Sequence, residues 1–160
     1  MAFLAGLASV FALLWVIGFL GDISRLRDMA FNARVAAAVM FVGIGLFHLA
    51  RPDLLTYMVE GLLPYPLLIV YASGVLEIGL GLGLLYPPAQ RFCGWGLLLL
   101  LLAMFPANIY VALKQLPPPG GLPAKPWYVW SRLAFQPLYM GWIWFAALHS
   151  PVQVRATIDS

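Results

Sequence analysis

Charge is scarce in this chain. Asp, Glu, Lys and Arg make up 9% of its 160 residues, against roughly 25% in a soluble domain, so water is not its main solvent. Nine Lys and Arg against six Asp and Glu leave a net charge of +3. The basic residues do not gather into the stripe that a nucleic-acid surface needs, and nucleic acid is not an expected partner. Cysteine is scarcer still. Cys93 stands alone, which excludes an intramolecular disulfide, a CxxC redox pair and a thiolate cage for zinc or an iron–sulfur cluster. No metal site and no intrinsic cofactor are expected, and any redox role must be borrowed from a partner or a bound small molecule. HExxH, P-loop and Ser/His/Asp arrangements are missing too. Gly79, Gly81 and Gly83 have GxGxG spacing, but without a preceding strand they read as helix packing through Gly79-x-x-x-Gly83.

What is present is apolar. Hydrophobic residues make up 63% of the chain and the mean hydropathy is +0.92. Apolar runs cover Ala2 to Leu20, Ala30 to Ala50, Pro66 to Tyr86, Cys93 to Leu113 and Leu133 to Ser150, each near the roughly 20 residues that cross a hydrocarbon slab. The expected fold is all-α, a polytopic membrane helical bundle of five spans. The first run has no basic n-region and no clear small-x-small cleavage site, so it reads as an uncleaved anchor. Breaker signals separate the spans: Leu63-Pro64-Tyr65-Pro66, Pro87-Pro88 and Pro117-Pro118-Pro119-Gly120-Gly121. Leu54 to Leu63 is apolar but too short to span, and fits a re-entrant or interfacial helix. Trp127, Tyr128 and Trp130, just before the last span, suit the headgroup zone.

Orientation follows from the basic residues in short loops. Arg25, Arg27, Arg34, Arg91 and Arg155 fall on one side, and Arg51, Lys114, Lys125 and Arg132 on the other. The early arginine cluster places the first loop in the cytoplasm, the N-terminus outside and the C-terminus inside.

Polar side chains inside spans are costly, and their default reading is a functional site facing the bundle interior. Glu77 is the sharpest signal: it lies 11 residues after Pro66, roughly 16 Å into the slab at about 1.5 Å per residue. Ser73, Gly74 and Gly81 share its face, so it should point at another helix rather than at lipid. His48 and Asn108 lie toward the outer ends of the second and fourth spans. Arg132 and Gln136, four residues apart, share one face of the last. Together these five form a candidate ligand-binding well that opens outward, with Glu77 at its floor and Arg132 at its rim. The plainer alternative also stands, that Asn108 and Gln136 are interhelical glue, His48 a satisfied imidazole and Pro106 a tolerated kink. A bis-histidine haem is rejected, because His48 and His149 lie toward opposite faces.

The strings around these residues carry a resemblance. Gly45-Leu46-Phe47-His48, Ser73-Gly74-Val75-Leu76-Glu77-Ile78-Gly79-Leu80-Gly81, Pro106-Ala107-Asn108-Ile109-Tyr110 and Arg132-Leu133-Ala134-Phe135-Gln136 together resemble the DoxX-like family of small bacterial integral membrane proteins. The likeness runs from about Ala30 to Ser150. It implies a four-helix core over 30–160, with residues 1–29 as an extra N-terminal transmembrane helix and cytoplasmic loop. It also implies a bacterial inner-membrane location and an association with redox systems. Members are named after a subunit of a thiosulfate:quinone oxidoreductase, and others are linked to oxidative-stress and thiol-handling partners. His48, Glu77, Asn108, Arg132 and Gln136 are the residues that carry over.

Three functions compete. The first is an accessory subunit that binds a quinone-like or other lipophilic ligand in the well, beside a redox partner; His48, Asn108 and Gln136 would donate to carbonyls in an apolar slot. The second is assembly, the bundle packing into a homo- or hetero-oligomer with the polar set locking helices together. The third is a membrane-embedded lipid isomerase using Glu77 and His48 as acid and base.

Overall fold

The computed structural model describes residues 2–117 and 125–149. Five α-helices follow one another: α1 (Ala2–Leu20), α2 (Met29–Ala50), α3 (Pro66–Gly83), α4 (Gln90–Lys114) and α5 (Pro126–Ile143), the last running on into a π-helical turn at Trp144–His149. There is no strand among the described residues.

The helix ends follow local chemistry. After α1 the chain turns left-handed at Asp22 (φ 52°), and Ile23 N–H donates to Gly18 O at 3.1 Å, the closing bond of a helix C-terminus of this kind. Asp28 caps α2, accepting from the amides of Ala30 at 2.8 Å and Phe31 at 3.3 Å. Helix α3 opens on Pro66 and α5 on Pro126, where a missing N–H costs nothing. Between α2 and α3, residues 54–63 do not form one continuous helix. They break into 3-10 turns at Pro52–Leu54 and Thr56–Met58, because Leu55 departs from helical dihedrals (φ −126°).

Four helices, α1 to α4, are long and apolar enough to cross a membrane. Helix α5 is not among them. Ser131, Arg132 and Gln136 dilute its apolar content, and it starts at Pro126 rather than Leu133, so that Trp127, Tyr128 and Trp130 lie within its first turns rather than before it. Large apolar side chains cover the outside of the bundle: Leu20 is 78% exposed and Phe92 77%. In water such a surface would drive aggregation, whereas lipid tails accept it at no cost.

Each helix packs on the next, and the π-turn after α5 returns to α2 and α4, closing the bundle. Helix α1 belongs to the core: Leu7 is 1% exposed, Phe3 meets Phe41 and Tyr139 edge-on, and Phe11 meets Trp142. Contacts fall in number on one helix as they rise on the other, pairing Phe41 with Gly81, Gly45 with Glu77 and His48 with Gly74. Helices α2 and α3 are therefore antiparallel, and glycine lets their backbones touch. A Cβ added at Gly74 would lie 2.8 Å from His48 Cβ and 2.9 Å from Gly45 O; one added at Gly45 would lie 2.6 Å from Gly74 O. Close approach of this kind is how helices associate where no hydrophobic force acts between them.

Candidate ligand site

The α2–α3 contact brings two of the five candidate residues together. His48 Nδ1 lies 2.9 Å from Glu77 Oε2 and 3.1 Å from Ser73 Oγ. Glu77 is 3% exposed and His48 7%. The Ser73 hydroxyl donates to Val70 O at 2.9 Å, so its single proton is committed. A favourable contact then requires a hydrogen on Nδ1, aimed between two acceptor oxygens. The approach to Glu77 is close but not directed along a hydrogen bond, and Oε2 has no hydrogen-bond partner although it is fully shielded. A shielded carboxyl oxygen without a donor is costly in that position. His48 Nε2 makes no hydrogen bond among the described residues.

Asn108 and Gln136 also meet, across α4 and α5. Asn108 Nδ2 donates to Gln136 Oε1 at 3.0 Å, and Gln136 Nε2 donates to Leu101 O. Pro106 sits in α4 without an N–H, so Leu102 O, four residues before it, loses its helical donor, and Gln136 donates to Leu101 O, one residue earlier. The two pairs are not joined: among the described residues no hydrogen bond or ion pair links His48 or Glu77 to Asn108, Gln136 or Arg132.

Arg132 stands in a third place. Its Nη1 is shielded and unpartnered, and the titratable groups that feel its charge are Tyr57, Tyr128 and Tyr139. Burial pushes the Tyr57 phenol above its usual range, and the Arg132 charge pulls it partly back. An apolar cavity of ≈ 370 Å³ opens elsewhere, lined by Ala8, Phe11, Ala33, Trp142 and Phe145.

A second polar cluster was not anticipated. Arg34, counted from sequence as a loop charge, lies inside α2 and is 8% exposed. It donates to Gln90 Oε1 at 3.1 Å and to Ala146 O at 3.5 Å. Gln90 Nε2 donates to Ala147 O at 3.0 Å and Arg91 Nη2 to Leu148 O at 3.5 Å. These three carbonyls lie in the π-turn Trp144–His149 that follows α5, and C=O groups toward the C-terminal side of a helix, where its dipole is negative, attract cations. The sequence signal was Arg34 lying five residues inside an apolar run that begins at Ala30.

The fold and these clusters define an all-helical bundle with four helices fit to cross a membrane and a histidine–carboxyl pair buried between two of them. Residues 35–147 match the model of a family described as a domain of unknown function (DUF8561), and the chain belongs to that family. The matched stretch begins within α2 and ends in the π-turn, leaving α1 outside it. No curated protein and no solved structure matches the chain.

Proposed function

We propose that this protein is a small accessory subunit of a membrane redox system, binding a quinone-like lipophilic ligand at the His48–Glu77–Ser73 cluster and working beside a redox partner. The observation that carries this reading is the 2.9 Å approach of two buried titratable side chains, His48 and Glu77. The Ser73 oxygen, its own proton donated to Val70 O, accepts a hydrogen on Nδ1 with the Glu77 carboxyl close by, so Nε2 is left for the ligand. A quinone carbonyl accepts from a protonated Nε2, and a quinol hydroxyl donates to a neutral one. The pair can thus hold or release the proton that accompanies a change of redox state, while electrons pass to and from the partner. The protein sits in the bacterial cytoplasmic membrane with its N-terminus outside, lipids surround it, and the DoxX-like resemblance supports both the location and the redox association.

Glu77→Gln tests the reading, since an amide preserves size and most hydrogen bonds but cannot ionise. Purified protein in neutral detergent, titrated with a short-chain benzoquinone and followed by tryptophan quenching, should saturate for wild type and not for Glu77→Gln at unchanged helicity. A folded variant that binds the quinone as wild type does would falsify it.

Assembly is the second reading, and the closed Asn108–Gln136–Leu101 set favours it for that part of the molecule. Those groups satisfy one another, as residues that only lock helices together do. On that reading Glu77→Gln leaves a larger complex intact and no quinone binds wild type.

A further inference from the structure

Two acceptors compete for one hydrogen at the α2–α3 contact. Ser73 and Glu77, four residues apart, share one face of α3, and the His48 ring faces both, its Nδ1 3.1 Å from Ser73 Oγ and 2.9 Å from Glu77 Oε2. Nδ1 carries at most one hydrogen. The Ser73 proton is spent on Val70 O at 2.9 Å, so its oxygen meets Nδ1 with a lone pair and takes that hydrogen. Glu77 Oε2 lies nearer, yet it is fully shielded and has no hydrogen-bond partner. A carboxyl oxygen left so is costly, and the hydrogen that could relieve it is the one that Ser73 holds.

The arrangement can change cheaply. The torsion that turns a histidine ring is broad, and both acceptors are already within hydrogen-bond distance of Nδ1. What sets the balance is the opposite nitrogen. A neutral imidazole with its hydrogen on Nδ1 has a bare Nε2, which is an acceptor. Nε2 has no partner among the described residues and is not one of their fully shielded atoms. A ligand hydroxyl that donates to Nε2 draws positive charge onto the ring, and a carboxyl oxygen outcompetes an alcohol oxygen for an N–H that carries charge.

We propose that Ser73 is a positioning residue that keeps the Nδ1 hydrogen of His48 away from Glu77 in the empty site, and that a ligand hydroxyl donating to Nε2 hands that hydrogen to Glu77. The handover rests on quinone binding at the same cluster and narrows it: the form the site prefers bears a hydroxyl, a quinol rather than a quinone. No covalent bond breaks. The hydrogen stays on Nδ1 and changes its acceptor.

Ser73→Ala removes the competitor and leaves Nδ1 with Glu77 alone. In ligand-free protein the infrared band of the Glu77 carboxyl, identified as the one that Glu77→Gln loses, should move in Ser73→Ala. The nitrogen NMR resonance of His48 Nδ1 should move with it, and His149→Asn assigns the two histidines. Ser73→Thr keeps a hydroxyl able to bond a carbonyl one turn back and should restore both wild-type signals, which a change in packing alone would not do. Unchanged signals in Ser73→Ala, or a folded Ser73→Thr that does not restore them, overturn the proposal. A short-chain benzoquinol, titrated by tryptophan quenching, should move the wild-type carboxyl band toward its position in Ser73→Ala. It should bind Ser73→Ala about fivefold more tightly, since that variant gives up no neutral hydrogen bond on binding. Weaker binding by Ser73→Ala, or saturation of wild type with a stationary band, also overturns the proposal. Lack of saturation by quinol and quinone alike would sink the accessory-subunit reading and the handover together, and the carboxyl band of the ligand-free variants would still decide whether Ser73 holds the hydrogen.

Discussion

Gly74→Ala adds one methyl group where α2 and α3 lie closest. Built on the native backbone, the new Cβ would sit 2.8 Å from His48 Cβ and 2.9 Å from Gly45 O. Neither neighbour is the free end of a flexible chain, so the helices must part by roughly half an ångström or more to restore ordinary contact. Inserting a methyl group into a packed contact costs about 1–3 kcal/mol, against which alanine regains up to about 1 kcal/mol of helix propensity over glycine. The net is a loss of about 0–3 kcal/mol. The same displacement carries His48 away from Glu77 and Ser73, whose contacts at 2.9 and 3.1 Å have no slack. Gly79→Ala is the matched control, since a Cβ there meets nothing within 4 Å and only the propensity gain remains. Unfolding in detergent titrations, read by circular dichroism, and benzoquinone binding, read by fluorescence, separate the two. Gly74→Ala should be less stable than Gly79→Ala and should bind the quinone more weakly. Equal stability of the two variants would refute the backbone-to-backbone contact. A Gly74→Ala protein that is destabilised yet binds normally would refute the dependence of the site on it.

Two further outcomes follow from the same geometry. Gln136→Leu leaves Asn108 Nδ2 and Leu101 O without the partners they have now; it should lower stability by about 1–2 kcal/mol while quinone binding at His48 persists, and loss of binding would join the two clusters functionally. A reporter active only in the periplasm should be active when fused near Met1 or in the loop between α4 and α5 and silent when fused after Ser160; the reverse pattern would invert the proposed orientation.

Length and apolarity made most of the helices legible in the sequence. The run Ala2 to Leu20 coincides with α1, and the runs from Ala30, Pro66 and Cys93 differ from α2, α3 and α4 only at their ends, because each is apolar all round and bounded by breakers. Helix α5 was harder. Its aromatic first turns and Arg132 weaken the hydropathy signal, and its start is announced instead by Pro126 at the first helical position. The His48–Glu77 approach was within reach, since glycine and serine on the Glu77 face point to another helix, but no local pattern names the partner. The five candidate residues are not joined by hydrogen bonds or ion pairs into one cluster among the described residues. Adjacent helices pair their own polar groups first, α2 with α3 and α4 with α5, and a spacing rule within one helix says nothing of which neighbour comes close.

Arg34 shows why counting charges by position misleads in such a chain. A basic residue near a helix start reads as a loop anchor when the boundary is judged by hydropathy alone. In the structure Asp28 caps α2 and its first turns already include Arg34, buried and turned toward the end of another helix. That end is an unusual one: the α5 rod loosens into a π-turn, and the carbonyls of Ala146, Ala147 and Leu148 receive side-chain donors from Arg34, Gln90 and Arg91. Inside a bilayer such carbonyls would find no water, and leaving them unpaired would cost several kcal/mol each. The cluster therefore gives these carbonyls side-chain donors, and the partial charges there, with the Asp28 carboxylate nearby, offset the guanidinium of Arg34. Arg132, on the same rod but near its start, faces the opposite sign of helix dipole and has no carbonyl set to receive it. The two arginines thus differ: Arg34 is buried and met by carbonyls, whereas Arg132 is half-buried, with a shielded Nη1 that has no partner.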